Sequence, residues 1–473
     1  MLLPDATPPP WRLWRTLERA ALHGAPWQRA PAEIAVNDAT PAATLVAMGD
    51  VALLGSIGRD PRVVFGTLCD VLERADLRTA NLEAVLTGRT QPAGTIGSFI
   101  RSDPGNVALL RDAGFDVMTV ANNHVLDFGH EGLGEALDVL ADAGIGACGA
   151  GGAPDAAESG CAPGAAAFRT THSSIANLVV REVRGLRVGF VGFCDDWYGG
   201  LRHQDGGGPR PAAATPDTMA ATLQEARPQV DFLVCHAHWG YEFTLHPMAR
   251  HRRLAHAMLD DGADLVLCHH SHVPAGIEIR GRGAIAYGLG NAIMPMGDYV
   301  RAGHPWTDRS FVLEVSFSAH AVHGVRLHPF GLDEAGRMQT LDHARGRGLL
   351  RGVAKMSRRL DDEDFLARLE RCRLAYEGHA LIDGLRNAAQ GNPRSLHERL
   401  MSLSVPRQRA LLDDLARMPG LAPVAEALLQ SDGETTPAAA VARYDALEPA
   451  FTAAMPALKS AYRWRDALRA RVP

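Results

Sequence analysis

Between about residues 44 and 290 the chain alternates short β-branched runs with stretches of helical period, and each run ends in Gly or a polar residue. Strand–helix alternation at this spacing predicts an α/β layered domain. The predicted strands are 44–49, 76–82, 117–121, 187–193, 231–236, 264–268 and 284–289. The predicted helices are 61–74, 104–114, 129–143, 215–226 and 247–262. Two later runs, 310–317 and 322–332, have no helix between them and read as an antiparallel hairpin. The Gly/Ala/Pro-rich stretches 145–165 and 199–214 read as loops. The GAGG string in the first lacks the GK[ST] ending of a phosphate loop.

With 473 residues the chain exceeds one ordinary domain. Residues 1–40 are Pro-rich without sustained period and read as a tail or a short packed helix. Residues 41–340 hold the α/β pattern. Beyond 340 only helical period remains, so 341–473 is expected to form a separate all-helical domain. Lys+Arg of 48 against Asp+Glu of 54 gives a net charge of -6, which argues against a nucleic-acid partner held by bulk positive charge. No apolar run is long enough to span a membrane, and Arg12, Arg15, Glu18 and Arg19 interrupt any signal-peptide core. The seven Cys include no Cys-x-x-Cys pair and suit a reducing compartment. A cytoplasmic location is the expectation.

Of 20 His, eight fall between residues 236 and 272. The chemistry-bearing residues sit where predicted strands end, which is where α/β sheets place their sites. Asp50 ends the first strand. Asn81 and Glu83 end the second. Asn122, Asn123, His124 and Asp127 follow the third. His236 and His238, with Glu242 nearby, end the fifth. His269, His270 and His272 end the sixth, and Asn291 follows the seventh. Imidazole and carboxylate bind Zn, Mn or Fe, and an Asn carbonyl completes a hard site. A His-x-His pair in extended backbone puts both rings on one side. His236/His238 and His270/His272 are two such pairs, so one or two divalent ions are expected. Two metals about 3.5–4 Å apart would activate water and polarise a phosphoryl or acyl oxygen. Cys235 and Cys268 read as core packing, and His246, His251 and His256 as surface or supporting residues on a helix.

The order GD, ANLE, ANNH-x-x-D-x-G, HWG-x-E, HH-x-HV and YGLGN resembles the CapA family of poly-γ-glutamate capsule biosynthesis proteins, over residues 44 to about 335. That family is similar to the calcineurin-like metallophosphatases. The resemblance implies an α/β/β/α sandwich with metal at strand ends. It implies a site lined by Asp50, Glu83 or Asn81, Asn123, His124, His238, His270 and His272. His124 would be the general acid. Asp127 would orient it or cap the helix near Gly129, and Asn123 would hold metal or substrate. The sequence departs from the phosphatase pattern at Ala52, where that pattern has His, at Asn81 and Glu83, where it has Gly-Asp, and at Cys268, where it has Gly. The implied activity is metal-dependent hydrolysis of a phosphoryl or γ-glutamyl/amide bond. The implied substrate is a small molecule or an acidic polymer, with a partner biosynthetic enzyme as a further expectation. The other reading is a non-catalytic assembly subunit.

A basic run, Arg345, Arg347, Arg351, Lys355, Arg358 and Arg359, contains no acid. It reads as a solvated helix face balanced by Asp361, Asp362, Glu363 and Asp364, and otherwise as a surface for a polyanion such as poly-γ-glutamate.

Overall fold

The computed structural model describes residues 33–36, 40–55, 57–93, 99–151, 177–195, 208–295, 306–367 and 369. The chain divides into two compact units, Arg15–Glu370 and Met1–Trp14 with Arg371–Pro473. The second lies outside the described residues, and with it most of the expected helical domain.

Among the strands of the first unit are β1 (Ala43–Val51), β2 (Leu77–Leu82), β3 (Val117–Thr119), β4 (Gly146–Cys148), β5 (Val179–Val183), β6 (Leu186–Cys194), β7 (Phe232–His238), β8 (Leu265–His269), β9 (Ile277–Arg280), β10 (Gly283–Ala286), β11 (Asn291–Ile293), β12 (Arg309–Ser318) and β13 (Ala321–Leu332). Its helices are α1 (Pro61–Phe65), α2 (Cys69–Arg74), α3 (Val107–Asp112), α4 (Gly129–Asp142), α5 (Pro216–Ala226), α6 (Ala249–Asp260) and α7 (His343–Arg359). Helix starts follow local chemistry. Thr215 accepts from the Thr218 amide with Pro216 in the first turn, and Asp342 accepts from the Arg345 amide.

One sheet runs β13-β12-β1-β2-β3-β4, with β11 also paired to β1. The other runs β9-β10-β8-β7-β6-β5. Alternation sorts each strand between two cores. Leu45 and Ala47 of β1 meet Phe190, Phe232, Val234, Leu265 and Leu267 between the sheets. Val46 and Met48 face outward under α1 to α4, with Phe65, Leu109 and Leu133. On the far side, Leu233 and Cys235 pack with Leu223 of α5 and Met258 of α6. The rings of Phe232 and Phe317 close the inner layer at 4.3 Å between centroids. The result is the α/β/β/α sandwich that the resemblance implied. Cys235 and Cys268 are buried in the outer core, as expected. No described helix is long and apolar enough to cross a membrane.

Three expectations are corrected. Residues 146–148, expected in a loop, form β4, parallel to β3 with Gly146 opposite Val117. Small residues hid this strand. They are needed because a Cβ at Gly146 would lie 2.6 Å from Val179 Cγ1. Within the expected tail, Glu33–Ala35 pairs antiparallel with β13. Past the expected boundary at 340, α7 buries Leu350, Val353 and Met356 in the core between the sheets.

Candidate metal centre

Strand register assembles the site. In the first sheet Asn291, Asp50 and Asn81 lie side by side on β11, β1 and β2. In the second, His238 and His269 lie side by side on β7 and β8. The Gly of the GD motif is required by close approach. A Cβ at Gly49 would lie 1.8 Å from the Gly290 carbonyl oxygen.

Asp50 and Glu83 are fully buried. The Asn81 amide nitrogen donates to Asp50 Oδ1 at 2.8 Å and lies 3.5 Å from Glu83 Oε2. Asn122 in turn donates to Asn81 Oδ1 at 3.1 Å and to the Leu82 carbonyl at 2.8 Å. His238 Nε2 is 2.9 Å from Asn123 Oδ1, 3.1 Å from His270 Nδ1 and 3.7 Å from Glu83 Oε1. His272 Nδ1 is 3.4 Å from Asp50 Oδ2, and its Nε2 is 3.6 Å from Glu83 Oε1. Asn291 Oδ1 lies 2.9 Å from His272 Nδ1, and the Asn291 amide nitrogen donates to the Thr307 carbonyl.

Two ligand-type groups result: Glu83, His238 and His270, and Asp50, Glu83 and His272. Within each, the donor atoms lie within 4.8 Å of one another. Glu83 belongs to both. Asp50 Oδ2 and Glu83 Oε1 are buried with no hydrogen-bond partner. Burying an ionised carboxylate costs several kcal/mol unless something compensates it. Two carboxylates and three imidazoles around those oxygens are the donor set of a divalent cation such as Mn, Zn or Fe, so the residues fit such an ion.

The electrostatics agree. Burial pushes the Asp50 carboxyl up, but the neighbouring imidazoles of His269 and His272 outweigh it and hold the group well below the usual carboxylate range. Burial, reinforced by Asp50, raises Glu83 well above its ordinary value. Burial lowers His272 less than Glu83 and Asp50 raise it, so its imidazolium persists to about 10. Burial drops His270 to about 4 and His238 well below the ordinary imidazole value. Neutral imidazoles of this kind keep the lone pair that a metal takes.

The structure brings together Asp50, Asn81, Glu83, Asn123, His238, His270 and His272. It does not bring His236 in. His236 Nε2 is 3.0 Å from Thr79 Oγ1 and its Nδ1 is 2.9 Å from His269 Nε2, so both nitrogens are engaged one layer deeper. The extended-backbone argument holds for His236/His238 on β7 but not for His270/His272. Those two take left-handed backbone, with φ of 85° and 56°, in the loop after β8. At the edge of the site His124 Nδ1 faces Asp127 Oδ2 at 2.9 Å. The same carboxylate oxygen accepts from the Ile100 amide at 2.6 Å. Asp127 thus faces the His124 ring. The residue at the start of α4 is Phe128, without a side-chain cap. His251 and His256 support structure, beside Asp195 at 3.3 Å and Glu278 at 3.0 Å.

Sequence reasoning left open whether His269 or His270 is the ligand; His269 Nδ1 lies 3.3 Å from Asp50 Oδ1, and His270 is the one in a ligand group. It missed Thr79, which meets His236. Period 2 on β2 was the available signal, since Thr79 shares a face with Asn81. Nothing local pointed to Thr307.

The family model for "Bacterial capsule synthesis protein PGA_cap" matches residues 44–296. The "Capsule biosynthesis protein CapA" of Bacillus anthracis is 29% identical over 198 residues, covering 40% of this chain and 43% of that protein. The "Probable polyglutamine synthesis accessory protein" of Mycobacterium tuberculosis is 31% identical over 247 residues, covering 50% and 60%. The chain thus spans about half the length of the curated relatives it matches. Among solved structures, the NAD nucleotidase of Haemophilus influenzae aligns over 69% of this chain and 59% of that one, at 12% identity and a TM-score of 0.33.

Proposed function

The chain belongs to the bacterial capsule synthesis protein family, and from that premise we propose that it is a metal-dependent hydrolase acting on a phosphoryl or γ-glutamyl/amide bond in the making of a polyglutamate-like polymer or peptide. The observation that carries this reading is Glu83 Oε1, fully buried, without a hydrogen-bond partner and common to both ligand groups. Asp50, Glu83, His238, His270 and His272 would hold the ion, and Asn123 would steady His238 or the substrate. A divalent ion there would supply Lewis-acid charge and lower the pKa of a water.

The remaining work falls to His124 and Asp127. Asp127 accepts from His124 Nδ1, which fixes the ring and leaves Nε2 as the nitrogen that exchanges a proton. His124 then protonates the oxygen or nitrogen of the leaving group as the bond breaks. The Ile100 amide on Asp127 keeps the carboxylate from turning away.

The second reading, a non-catalytic assembly subunit, draws on the word "accessory" in the name of the Mycobacterium relative. One experiment separates the two. The full chain, loaded in turn with Mn, Zn and Fe(II), is assayed on p-nitrophenyl phosphate and on γ-glutamyl-p-nitroanilide with and without chelator. Chelator-sensitive turnover supports the hydrolase. Bound metal without turnover on either probe supports the assembly subunit.

A further inference from the structure

The metal centre lies where β7 and β8 end. The opposite end of the same sheet holds a cavity of about 350 Å³. Arg227 and Asp264, which precede β7 and β8, line it. So do Arg280 and Arg282 at the β9–β10 turn, Asp260 at the end of α6 and His320 in the β12–β13 turn. The seven residues of β7, at about 3.3 Å each, put roughly 20 Å between the two places.

Two of the charged groups are committed to the fold. Asp264 Oδ2 accepts from Arg227 Nη1 at 2.6 Å and from the Leu233 amide at 2.7 Å. Arg227 also donates to the carbonyls of Gly262 and Val230, each at 2.8 Å. That pair staples the starts of β7 and β8, and the buried Arg227 Nε is left without a hydrogen-bond partner. Arg280 pairs with Asp260, but their side chains are 40% and 59% exposed. An exposed pair of this kind is weak, so Arg280 can turn to another anion.

Arg282 and His320 are exposed, and among the described residues neither side chain has a hydrogen bond or an ion pair. Asp231, whose carbonyl accepts from the His320 amide, spends its carboxylate on Arg187 at 3.1 Å. The two turns are tied together, because the Val322 amide donates to the Arg282 carbonyl at 2.8 Å. Gly281 makes the first turn with φ of 61°, and a Cβ there would meet nothing within 4 Å. Three guanidinium groups and an imidazole thus share the cavity with two carboxylates, on a protein of net charge -6.

We infer that this cavity is a second ligand site, separate from the metal centre, for a small sugar or polyol phosphate. A cavity of this size suits a small molecule and not a polymer. The excess of positive charge suits a dianion. The donors Arg280, Arg282 and His320 come from two turns, and a phosphate group offers three oxygens to them where a carboxylate offers two. No Phe, Tyr or Trp lines the cavity, so a nucleobase would find no ring to stack on. The site does not depend on the hydrolytic reading above.

The test is isothermal titration of the full chain with 3,4-dihydroxybutyl phosphonate, a non-hydrolysable isostere of glycerol 3-phosphate. Inorganic phosphate and succinate are titrated in parallel. The wild type should bind the phosphonate more tightly than either. Arg282→Gln/His320→Gln should weaken that binding by at least about tenfold, because two charge-assisted contacts are lost. Both side chains are exposed, so the fold should be kept, and Arg282→Lys should lose less than Arg282→Gln. Arg111→Gln, on the exposed α3, should bind like wild type. Glu83→Gln should keep the binding, since its carboxylate belongs to the metal centre. Wild-type affinity in the Gln pair, equal loss in Arg111→Gln, or binding that vanishes in Glu83→Gln would each overturn the inference. So would succinate or inorganic phosphate binding as tightly as the phosphonate, or a wild-type chain that binds none of the three.

Discussion

Glu83 Oε1 lies 3.6 Å from His272 Nε2 in the buried space between the two sheets. In the metal-free chain burial, reinforced by Asp50, raises the Glu83 carboxyl well above its ordinary value. The sign follows from linkage. An acid whose folded pKa is raised contributes stability that is full below its ordinary value of 4.5 and is lost as pH rises towards the raised value.

Glu83→Gln keeps the shape and removes that titration. Relative to wild type, the metal-free Gln variant should gain stability on going from about pH 5 to pH 8, on the order of 1 kcal/mol or more. Urea melts of chelator-treated protein at the two pH values measure this. A difference that does not change with pH would mean Glu83 is not perturbed in the folded chain.

His236 is placed as a strut, with Thr79 on one nitrogen and His269 on the other. His236→Ala should therefore leave metal content unchanged and cost stability, about 1–3 kcal/mol for the buried partners left unpaired. Metal analysis and a denaturant melt of the same preparation check both halves. Loss of metal at full stability would make His236 a ligand.

His124 pairs with Asp127 and is a member of neither ligand group. His124→Asn should keep fold and metal while lowering turnover by about 10²–10⁴-fold, the usual contribution of a general acid. The loss should be smallest for substrates with good leaving groups. A series of aryl phosphates or aryl amides of graded leaving-group pKa reads this as a slope. Equal loss across the series contradicts the proton-transfer role.

Much of this site was legible because its residues close strands, and strand ends are visible as apolar runs meeting Asp, Asn or His. Asp50, Asn81 and His238 were found that way. Depth was not legible. Period 2 shows that His236 and His238 share a face, but two residues of strand are about 7 Å, which takes His236 a layer deeper. The His270/His272 pair reached the site by another route, since left-handed backbone at non-Gly residues has no reliable local sequence signal. Tertiary pairing hid the rest. The link from His272 through Asn291 to Thr307 depends on β11 running beside β1, and the acids after α7 find Arg252 on α6.

In the proposed function the carboxylate of Glu83, shared by both ligand groups, organises a divalent-metal centre. The direct test is metal content by mass spectrometry for the wild type and Glu83→Gln, each purified, exposed to Mn, Zn and Fe(II) in turn and desalted. The wild-type chain should hold at least about one ion, as the ligand set implies, and Glu83→Gln should lose most of it without unfolding. A wild-type chain that stays metal-free, or a Gln variant that retains the full wild-type content, would contradict it.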